Sequence, residues 1–465
     1  MTTSTHLLRR RRFLPLFVTQ LFNAFNDNLY KTAMVLFVVY SVYNSEADES
    51  MFSGIASVVF ILPFCLFSGL AGQLADTRDK ASIIRIVKIC EIGLMCIGAV
   101  GLYLAWQGIM VHNVAIPVML FALFLAAVQS TFLGPIKYAI LPQHLKKEEV
   151  LSGTGLVEAG TYIAILAGTI LAGWIPVQWA IIGILATAVI GYLVSRQIPD
   201  APPIGHQELH LPLLEPFWKE TKNPLLKYGA LLPVAIGDQV LMSWRLVRET
   251  MHNREVYFAI LAISFFWTIG AVLFIQFPPL AKNQLSASPQ VASLFLVVFS
   301  VGIAIGSVAI NALLKGKVSA RYSPPSVIIM GFFVIGFYLV ARLWTADQGG
   351  VLLEVDEFIL QPLAIPLLSM LLGIAVAGGC FVVPLYAFLT TRVPSDRAAR
   401  TVAANNIVNS IAMVLGSVLA IGVTAIGVGI NEQLLMSAGM CLVSAWLGRK
   451  LYNAERDAAA CAQAS

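Results

Sequence analysis

The sequence predicts an all-α membrane protein in which twelve transmembrane helices form two parallel-repeat bundles of six helices each. Apolar residues make up 58% of the chain and charged residues only 12%, with a mean hydropathy of +0.81. A soluble domain carries about 25% charged residues. Twelve apolar runs, from 13–40 to 430–448, reach the roughly 20 residues that a spanning helix needs. Backbone groups in lipid must be bonded internally, so these runs are predicted helices.

The second six apolar runs repeat the first six. The stretch Phe-Leu-Gly-Pro at 132–135 corresponds to Phe-Val-Val-Pro at 381–384, which lies 249 residues later. Parallel duplication of six spans is typical of one large transporter architecture, and internal repeats outweigh single motifs as indicators of fold. The other aligned pairs are Gly168 with Gly416, Gly69 with Gly306, and Lys80 with Lys317.

The repeat predicts an N-terminal six-helix bundle at 1–196 and a C-terminal bundle with a short cytoplasmic tail at 254–465. Between them, 197–253 is predicted to be a cytoplasmic linker. Its stretch 225–247 has the length of a span, but a charge such as Asp238 at the membrane centre costs about 2.5–3.5 kcal/mol. A thirteenth span would also invert the second half. We therefore interpret this stretch as an interfacial amphipathic helix.

Lysine and arginine residues predict the orientation. With the N-terminus in the cytoplasm, the basic loops lie inside, and only Lys282 and Arg342 fall at the outer side. This is the positive-inside bias, and it predicts that both termini are cytoplasmic. The net charge of +5 then reflects topology and anionic lipid on the inner leaflet, and no nucleic-acid partner is expected.

The sequence predicts neither an enzyme nor a metal or cofactor site. The six cysteines lie in spans or in the tail, and no Cys/His cluster has metal-ligand spacing. All six histidines fall outside the spans, and no soluble stretch is long enough for a catalytic domain. Transport by a monomer is therefore the predicted activity. A non-transporting sensor or scaffold remains an alternative, although it has no need for buried charge in the first span.

The first span carries an unusual set of polar residues. Asn23, Asp27 and Lys31 are four residues apart and share one face of a helix, with Gln20 one turn earlier and Asn28 beside them. Charges at membrane depth usually mark a transport pathway or a structural pair. Asp27 and Lys31 can pair, which offsets part of their desolvation. We favour a pathway, and a fixed salt bridge that only stabilises the bundle is the alternative.

Spans four and five add further charge to the first half. Lys137 ends span four, and Glu158 lies inside span five with Tyr162 one turn later. A Lys137–Glu158 bond would link the two helices, whereas the alternative for Lys137 is that it snorkels to the inner interface.

The second half has amides and aromatics where the first half has charges. Trp267 in span seven aligns roughly with Asn23 and either lines a cavity or packs, with packing slightly favoured. The asparagines at 405, 406 and 409 are expected to hydrogen-bond between helices. Buried charge is thus predicted in the first half alone. A cavity with one charged wall and one apolar wall suits an amphiphile with a zwitterionic or anionic head group.

The stretch at 72–80, Gly-Gln-Leu-Ala-Asp-Thr-Arg-Asp-Lys, resembles the loop two–three motif of the major facilitator superfamily. Thr77 and Asp79 depart from that motif, which has a basic residue and a glycine at these positions. We predict that Asp76, which ends span two, closes a gate on the cytoplasmic side by meeting the positive N-terminal end of span eleven near Arg400 and Thr401. The implied gate and motif residues are Asp76, Arg78, Lys80 and Arg400.

A narrower resemblance lies at 24–28, 133–142 and 155–168, which are similar to the lysophospholipid transporter family of that superfamily. Thr154 stands where that family usually has an asparagine. The resemblance implies movement of lysophospholipids across the bacterial inner membrane to the inner leaflet for reacylation, with membrane lipids as neighbours and a separate acyltransferase as partner. The alternative is an efflux or symport carrier for a soluble or amphiphilic small molecule. The sequence does not assign the coupling ion.

Overall fold

The structure is a computed structural model, and it describes residues 7–202, 231–314, 319–344, 352–391 and 395–464. Within these ranges the regular structure is helical, apart from a single β-bridge between Ala287 and Leu353. A few side chains inside helices also lie outside the described part. The long helices are α1 Leu14–Ser41, α2 Glu46–Thr77, α3 Lys80–Trp106, α4 Ile116–Ala139, α5 Lys147–Trp174, α6 Val177–Ser195, α7 Leu231–Thr250, α8 Arg254–Pro279, α9 Pro289–Leu314, α10 Ser323–Arg342, α11 Ala364–Thr391, α12 Ser395–Ala425 and α13 Ile430–Ala464.

The predicted helical membrane fold is confirmed. Six long helices precede α7 and six follow it, and each predicted span overlaps one of them. Among the described residues, eight helical segments are long and apolar enough to cross a membrane, so the chain is a multi-pass membrane protein. Helices α1, α3, α5 and α13 are not among the eight, and α1 and α3 carry charged side chains within their apolar sequence. The full count of twelve spans therefore stays a prediction.

Local sequence signals explain where several helices begin and end. Asp79 precedes α3, and its carboxylate accepts a hydrogen bond from the Ser82 N–H at 2.6 Å, which satisfies one of the unpaired donors of the first turn. Asn253 caps α8 in the same way. Gly427, with φ of +84°, follows the end of α12, a left-handed conformation that glycine adopts without a steric penalty.

The described contacts divide the chain into two compact units that are not its two contiguous halves. Helix α1 is divided between the two units at Lys31/Thr32, and α2 is divided at Ile61/Leu62. Unit 1 comprises Met1–Lys31, Leu62–Gly168 and Pro176–Leu246, and unit 2 comprises Thr32–Ile61, Thr169–Ile175 and Val247–Ser465. The predicted domain boundaries at 196 and 254 therefore stay predictions.

Each unit has its own apolar core. In unit 1, Phe13, Leu16 and Ile84 are fully buried. In unit 2 the core contains both aliphatic and aromatic side chains, and Phe295 packs edge-to-face on Phe277 and Phe337. Large apolar side chains are also exposed along the helices, as a surface in contact with lipid requires.

Glycines show that the predicted repeat is structural. A Cβ at Gly168 of α5 would lie 2.5 Å from the Phe25 carbonyl oxygen of α1. A Cβ at Gly416 of α12 would lie 2.4 Å from Thr268 Cγ2 of α8. Both distances are shorter than van der Waals contact, so only glycine permits these approaches. The two aligned glycines therefore hold corresponding helix pairs together, α5 with α1 and α12 with α8.

The linker helix α7 buries polar side chains and exposes apolar ones. Asp238, Gln239 and Ser243 are at most 7% exposed, whereas Val240 and Trp244 are 53% and 64% exposed. A Cβ at Gly69 of α2 would lie 3.3 Å from Ser243 Oγ, so the buried face of α7 meets α2. The position of α7 at the membrane interface remains a prediction. Residues 203–230 lie outside the described part.

Candidate functional site

The first polar network of unit 1 joins α1 to α4. Asn23 Nδ2 donates to Asp27 Oδ2 and to Ser130 Oγ, each at 3.2 Å, and Ser130 in turn donates to the same Asp27 oxygen. Gln129 Nε2 donates to Asn23 Oδ1 at 2.9 Å. Asn23 and Asp27 are 7% and 6% exposed. Asn23 and Asp27 therefore lie on one face of α1, and that face is turned toward α4.

A second polar network of unit 1 joins α1 to α3. Asn26 Nδ2 donates to Glu91 Oε1 at 2.8 Å, and the other Glu91 oxygen forms an ion pair with Lys88. Both charged side chains are fully buried. A Cβ at Gly191 of α6 would lie 2.9 Å from Lys88 Cε, so the absence of a side chain there makes room for the lysine.

The sequence analysis missed Lys88 and Glu91. Both lie inside the predicted third span, and their spacing of three residues puts them on one face of a helix, which was the available signal. Their position keeps buried charge in the first half of the sequence, as predicted, but on α3, for which no buried charge was predicted. Because unpaired charges at membrane depth are costly, the ion pair and the Asn26 hydrogen bond are needed to keep them there.

The described hydrogen bonds of the Asp27 carboxylate are made by side chains other than Lys31, its predicted partner. Its Oδ2 accepts hydrogen bonds from Asn23 and Ser130. Lys31 lies one turn further along α1 and is partly buried. Its predicted pairing with Asp27 stays a prediction.

Three buried polar atoms on α1 and α4 have no hydrogen-bond partner among the described residues. They are Gln20 Nε2, Asp27 Oδ1 and Gln129 Oε1. The set contains one donor and two acceptors. Asn28, also predicted for the pathway, donates to the Ala24 carbonyl of its own helix at 2.8 Å.

Unit 2 has an uncharged polar network at α8, α11 and α12. Trp267 Nε1 donates to Tyr386 Oη at 2.8 Å, and Asn409 Nδ2 approaches the same oxygen at 3.4 Å. Ser264 Oγ donates to Asn409 Oδ1 at 2.6 Å. The expected helix-to-helix hydrogen bond of Asn409 is therefore confirmed. Trp267 also packs against the core of unit 2, so packing and hydrogen bonding occur together.

The loop two–three motif binds the start of the linker. The Asp79 carboxylate accepts from the Ala201 N–H at 2.7 Å, and the Lys80 N–H donates to the Ala201 carbonyl at 3.0 Å. Arg85 donates to Asp200 at 2.9 Å. Partial burial by itself raises the pKa of the Asp79 carboxyl, but the hydrogen bonds from Ser82 and Ala201 and the Arg85 charge hold that pKa below its ordinary value.

The predicted gate is only partly described. Lys80 is 3% exposed, and Arg78 is exposed. The side chains of Asp76 and Arg400 lie outside the described residues, as do those of Glu158 and Tyr162. Lys137 lies near the end of α4 and is partly buried. The contact between Asp76 and the start of α12 and the Lys137–Glu158 bond therefore stay predictions.

Relatives cover the chain over nearly its full length. It is 24% identical to the "Lysophospholipid transporter LplT" of Klebsiella pneumoniae over 473 aligned residues, which cover 97% of this chain and 100% of the relative. It is 23% identical to the protein of the same name from Salmonella newport, over 86% of this chain and 85% of the relative.

Solved structures share the fold. A bacterial homologue of the human lysosomal transporter Spinster, inward-facing and unoccupied, superposes with a TM-score of 0.66 at 14% identity and covers 96% of this chain and 98% of its own. A D-xylose–proton symporter gives 0.62 at 14% identity, over 94% and 96%. The family model of the Major Facilitator Superfamily matches residues 16–417. The chain belongs to the major facilitator superfamily.

Proposed function

We propose that the protein is an alternating-access transporter that moves lysophospholipids across the bacterial inner membrane to the inner leaflet, where a separate acyltransferase reacylates them. The substrate is supported by the two relatives that carry this name and align over most of their length. Both termini are then cytoplasmic, the carrier acts as a monomer, and the halves move about a site near the middle of the bilayer. Transport requires no chemical step and no cofactor.

The polar network between α1 and α4 is the observation in the structure that best supports a lipid head group. Its unpartnered atoms, Gln20 Nε2, Asp27 Oδ1 and Gln129 Oε1, offer one N–H donor and two acceptors. A zwitterionic phosphodiester head group has the complementary set, because its phosphate accepts hydrogen bonds and its ammonium or hydroxyl groups donate them. The carboxylate acceptor favours the cationic part of the head group.

The uncharged network of unit 2 supports the same substrate class. Trp267, Tyr386 and Asn409 satisfy one another, and their neighbours in the unit are aliphatic and aromatic. A wall of this kind accepts an acyl chain without leaving a charge unpaired. A soluble polar solute would gain more from polar groups in both halves.

Reconstitution tests the proposal. Purified protein in liposomes is given a fluorescent lysophospholipid on one side, and its appearance on the other side is followed by quenching or back-extraction. We expect protein-dependent transfer that unlabelled lysophospholipid competes away, whereas a soluble sugar or peptide does not. Transfer of a soluble solute without transfer of lysophospholipid would support the alternative carrier and contradict the proposal.

A further inference from the structure

We propose that unit 2 binds one anionic phospholipid at the end of α13 that is predicted to be cytoplasmic, and that this lipid is distinct from the transported substrate. The basic residues Arg321, Arg449 and Lys450 hold its phosphate, and Trp446 lies beside its glycerol region. This basic site lies outside the two polar networks of unit 1 and the uncharged network of unit 2.

One face of α13 changes from apolar to basic side chains. The helix has 35 residues, whereas a spanning helix needs roughly 20, so α13 extends beyond the bilayer. Leu442, Val443 and Trp446 are 67%, 45% and 56% exposed, as on a surface that contacts acyl chains. Arg449 and Lys450 follow on the same face and are exposed, and Lys450 Nζ lies 5.6 Å from the centroid of the Trp446 ring. The boundary between hydrocarbon and phosphate groups is therefore expected at this turn.

The segment before α10 is fastened to the same part of α13. Glu455 Oε2 accepts from Ser319 Oγ at 3.1 Å and from the Ala320 N–H at 3.0 Å. The Glu455 residue is only 8% exposed, so these hydrogen bonds are largely shielded from solvent. Further along, a Cβ at Gly448 would lie 3.5 Å from the Pro324 nitrogen. The segment 320–324 therefore runs along α13 from Glu455 back to Gly448.

This fastening brings a third cation to the site. Arg321 lies in the fastened segment, beside the turns of α13 that carry Arg449 and Lys450. It is exposed, and its guanidinium carbon lies 5.6 Å from the centroid of the Tyr322 ring. Aromatic side chains of this kind are enriched where a membrane meets water. The site thus combines three cations with two aromatic rings.

The charges of the basic site are available to a ligand. Among the described residues, none of its three cations forms an ion pair with a carboxylate. The neighbouring carboxylates have other partners, because Glu455 holds the segment before α10 and Asp457 lies 3.6 Å from Arg254. A phosphodiester fits this site, since arginine can bind two of its oxygens and lysine acts as a point charge. The apolar face at Leu442 and Val443 favours a phospholipid over a soluble phosphate.

Titration with lipid tests the site. Purified protein in a neutral detergent is mixed with phosphatidylglycerol, or with phosphatidylcholine that has the same acyl chains, and native mass spectrometry resolves each bound lipid. Each basic residue near an anionic lipid surface contributes about fivefold in affinity, so the first phosphatidylglycerol should bind at least about tenfold more tightly than phosphatidylcholine. Equal affinities for the two lipids would overturn the proposal.

A matched pair of double variants tests the location of the site. Arg449→Gln with Lys450→Gln should lower the affinity for phosphatidylglycerol at least about tenfold and leave that for phosphatidylcholine unchanged. Arg9→Gln with Arg11→Gln is the control, because it also removes two exposed basic residues from the predicted cytoplasmic side. The control should bind phosphatidylglycerol like the unmodified protein. An equal loss of affinity in both double variants would mean diffuse attraction to the net charge, and it would contradict the site.

Glu455→Ala separates a built site from diffuse attraction. The change removes a negative charge, so diffuse attraction predicts tighter binding of phosphatidylglycerol. It also releases Ser319 and Ala320, so Arg321 is no longer held beside α13, and the basic site predicts binding that is weaker by about fivefold. Affinity equal to or higher than that of the unmodified protein would overturn the role of the fastened segment. Thermal unfolding in phosphatidylcholine shows that each variant is folded.

The result can be told apart from a failure of the proposed function. The titration needs neither transport nor an assigned orientation of the protein in a membrane. Loss of lysophospholipid transfer with intact phosphatidylglycerol binding would contradict the proposed function alone. Equal binding of the two diacyl lipids would contradict the basic site alone.

Discussion

Corresponding helices of the two repeats hold polar networks of opposite character. On α1, Asn26 donates to the carboxylate of Glu91 on α3, and the Asp27 carboxylate is bonded with Ser130 of α4, so each of these contacts contains a charged group. On α8, Ser264 and Trp267 connect to α11 and α12 through hydroxyl, indole and amide groups only. The duplicated halves keep the same helix contacts, as the glycines at 168 and 416 show, but one half has concentrated the charge.

The difference between the charged and the uncharged network indicates that the two units have different roles in substrate binding. A buried charge must be paired and hydrogen-bonded, so the charged network of unit 1 fixes side-chain positions at a high cost of disruption. An uncharged network is cheaper to break and tolerates an apolar ligand beside it. We therefore expect head-group recognition to depend on unit 1, and we expect variants there to have the larger effects.

The largest effect is expected at the Lys88–Glu91 ion pair. Glu91→Gln leaves the Lys88 ammonium buried without its counter-charge, which should destabilise the protein by about 3–5 kcal/mol. Thermal unfolding in detergent measures the loss. The double variant Lys88→Met with Glu91→Gln should lose less than the sum of the single changes. Additive losses would mean that the pair is not coupled.

Gly191→Ala should disturb the same network from the side of α6. The added Cβ would lie 2.9 Å from Lys88 Cε, and such overpacking costs about 1–3 kcal/mol. Gly93→Ala in α3 is the matched control, because a Cβ there meets nothing within 4 Å and alanine favours the helix. The melting temperature should fall for the first variant alone. Equal shifts for both would contradict the packing of Lys88 against α6.

A smaller effect is expected in the uncharged network. Asn409→Ala removes the hydrogen bonds with Ser264 and Tyr386, and a neutral hydrogen bond contributes about 1 kcal/mol. The melting temperature should therefore fall less than for Glu91→Gln. A fall in melting temperature as large as that of Glu91→Gln would contradict the proposed difference in energy between the charged and the uncharged network.

The smallest effect is expected at the linker. In Asp79→Asn the amide oxygen can still cap α3 at the Ser82 N–H, but the amide NH₂ then faces the Ala201 N–H and cannot accept from it. Hydrogen exchange at the Ala201 N–H should therefore accelerate, with little change in the stability of the protein. In the unmodified protein the pKa of Asp79 is lowered, so this contact stabilises the folded protein at low proton concentration. The stabilisation is complete above the ordinary Asp pKa and is lost as pH falls through the lowered value. Unchanged exchange in Asp79→Asn would exclude this contact.

The sequence predicted the helices, the repeat and the polar face of α1, because hydrophobic length and residue spacing are local properties. It did not predict the partners of that face. Periodicity shows that Asn23 and Asp27 lie together, but not that Ser130 of α4 lies opposite them. The Lys282–Glu49 contact joins residues 233 positions apart, and the charge pattern placed Lys282 at the outer side without identifying its partner. Such contacts depend on how helices pack, which no local pattern specifies.

The most direct test of the account compares head groups in the unmodified protein and in Asp27→Asn. Liposome transfer is measured for a zwitterionic lysophospholipid and for a monoacylglycerol with the same acyl chain. The unmodified protein should prefer the lysophospholipid. Asp27→Asn keeps the size of the side chain but removes the carboxylate that Asn23 and Ser130 position, so lysophospholipid transfer should fall at least about tenfold and the preference should disappear. A preference that survives in Asp27→Asn would contradict head-group recognition by the charged network.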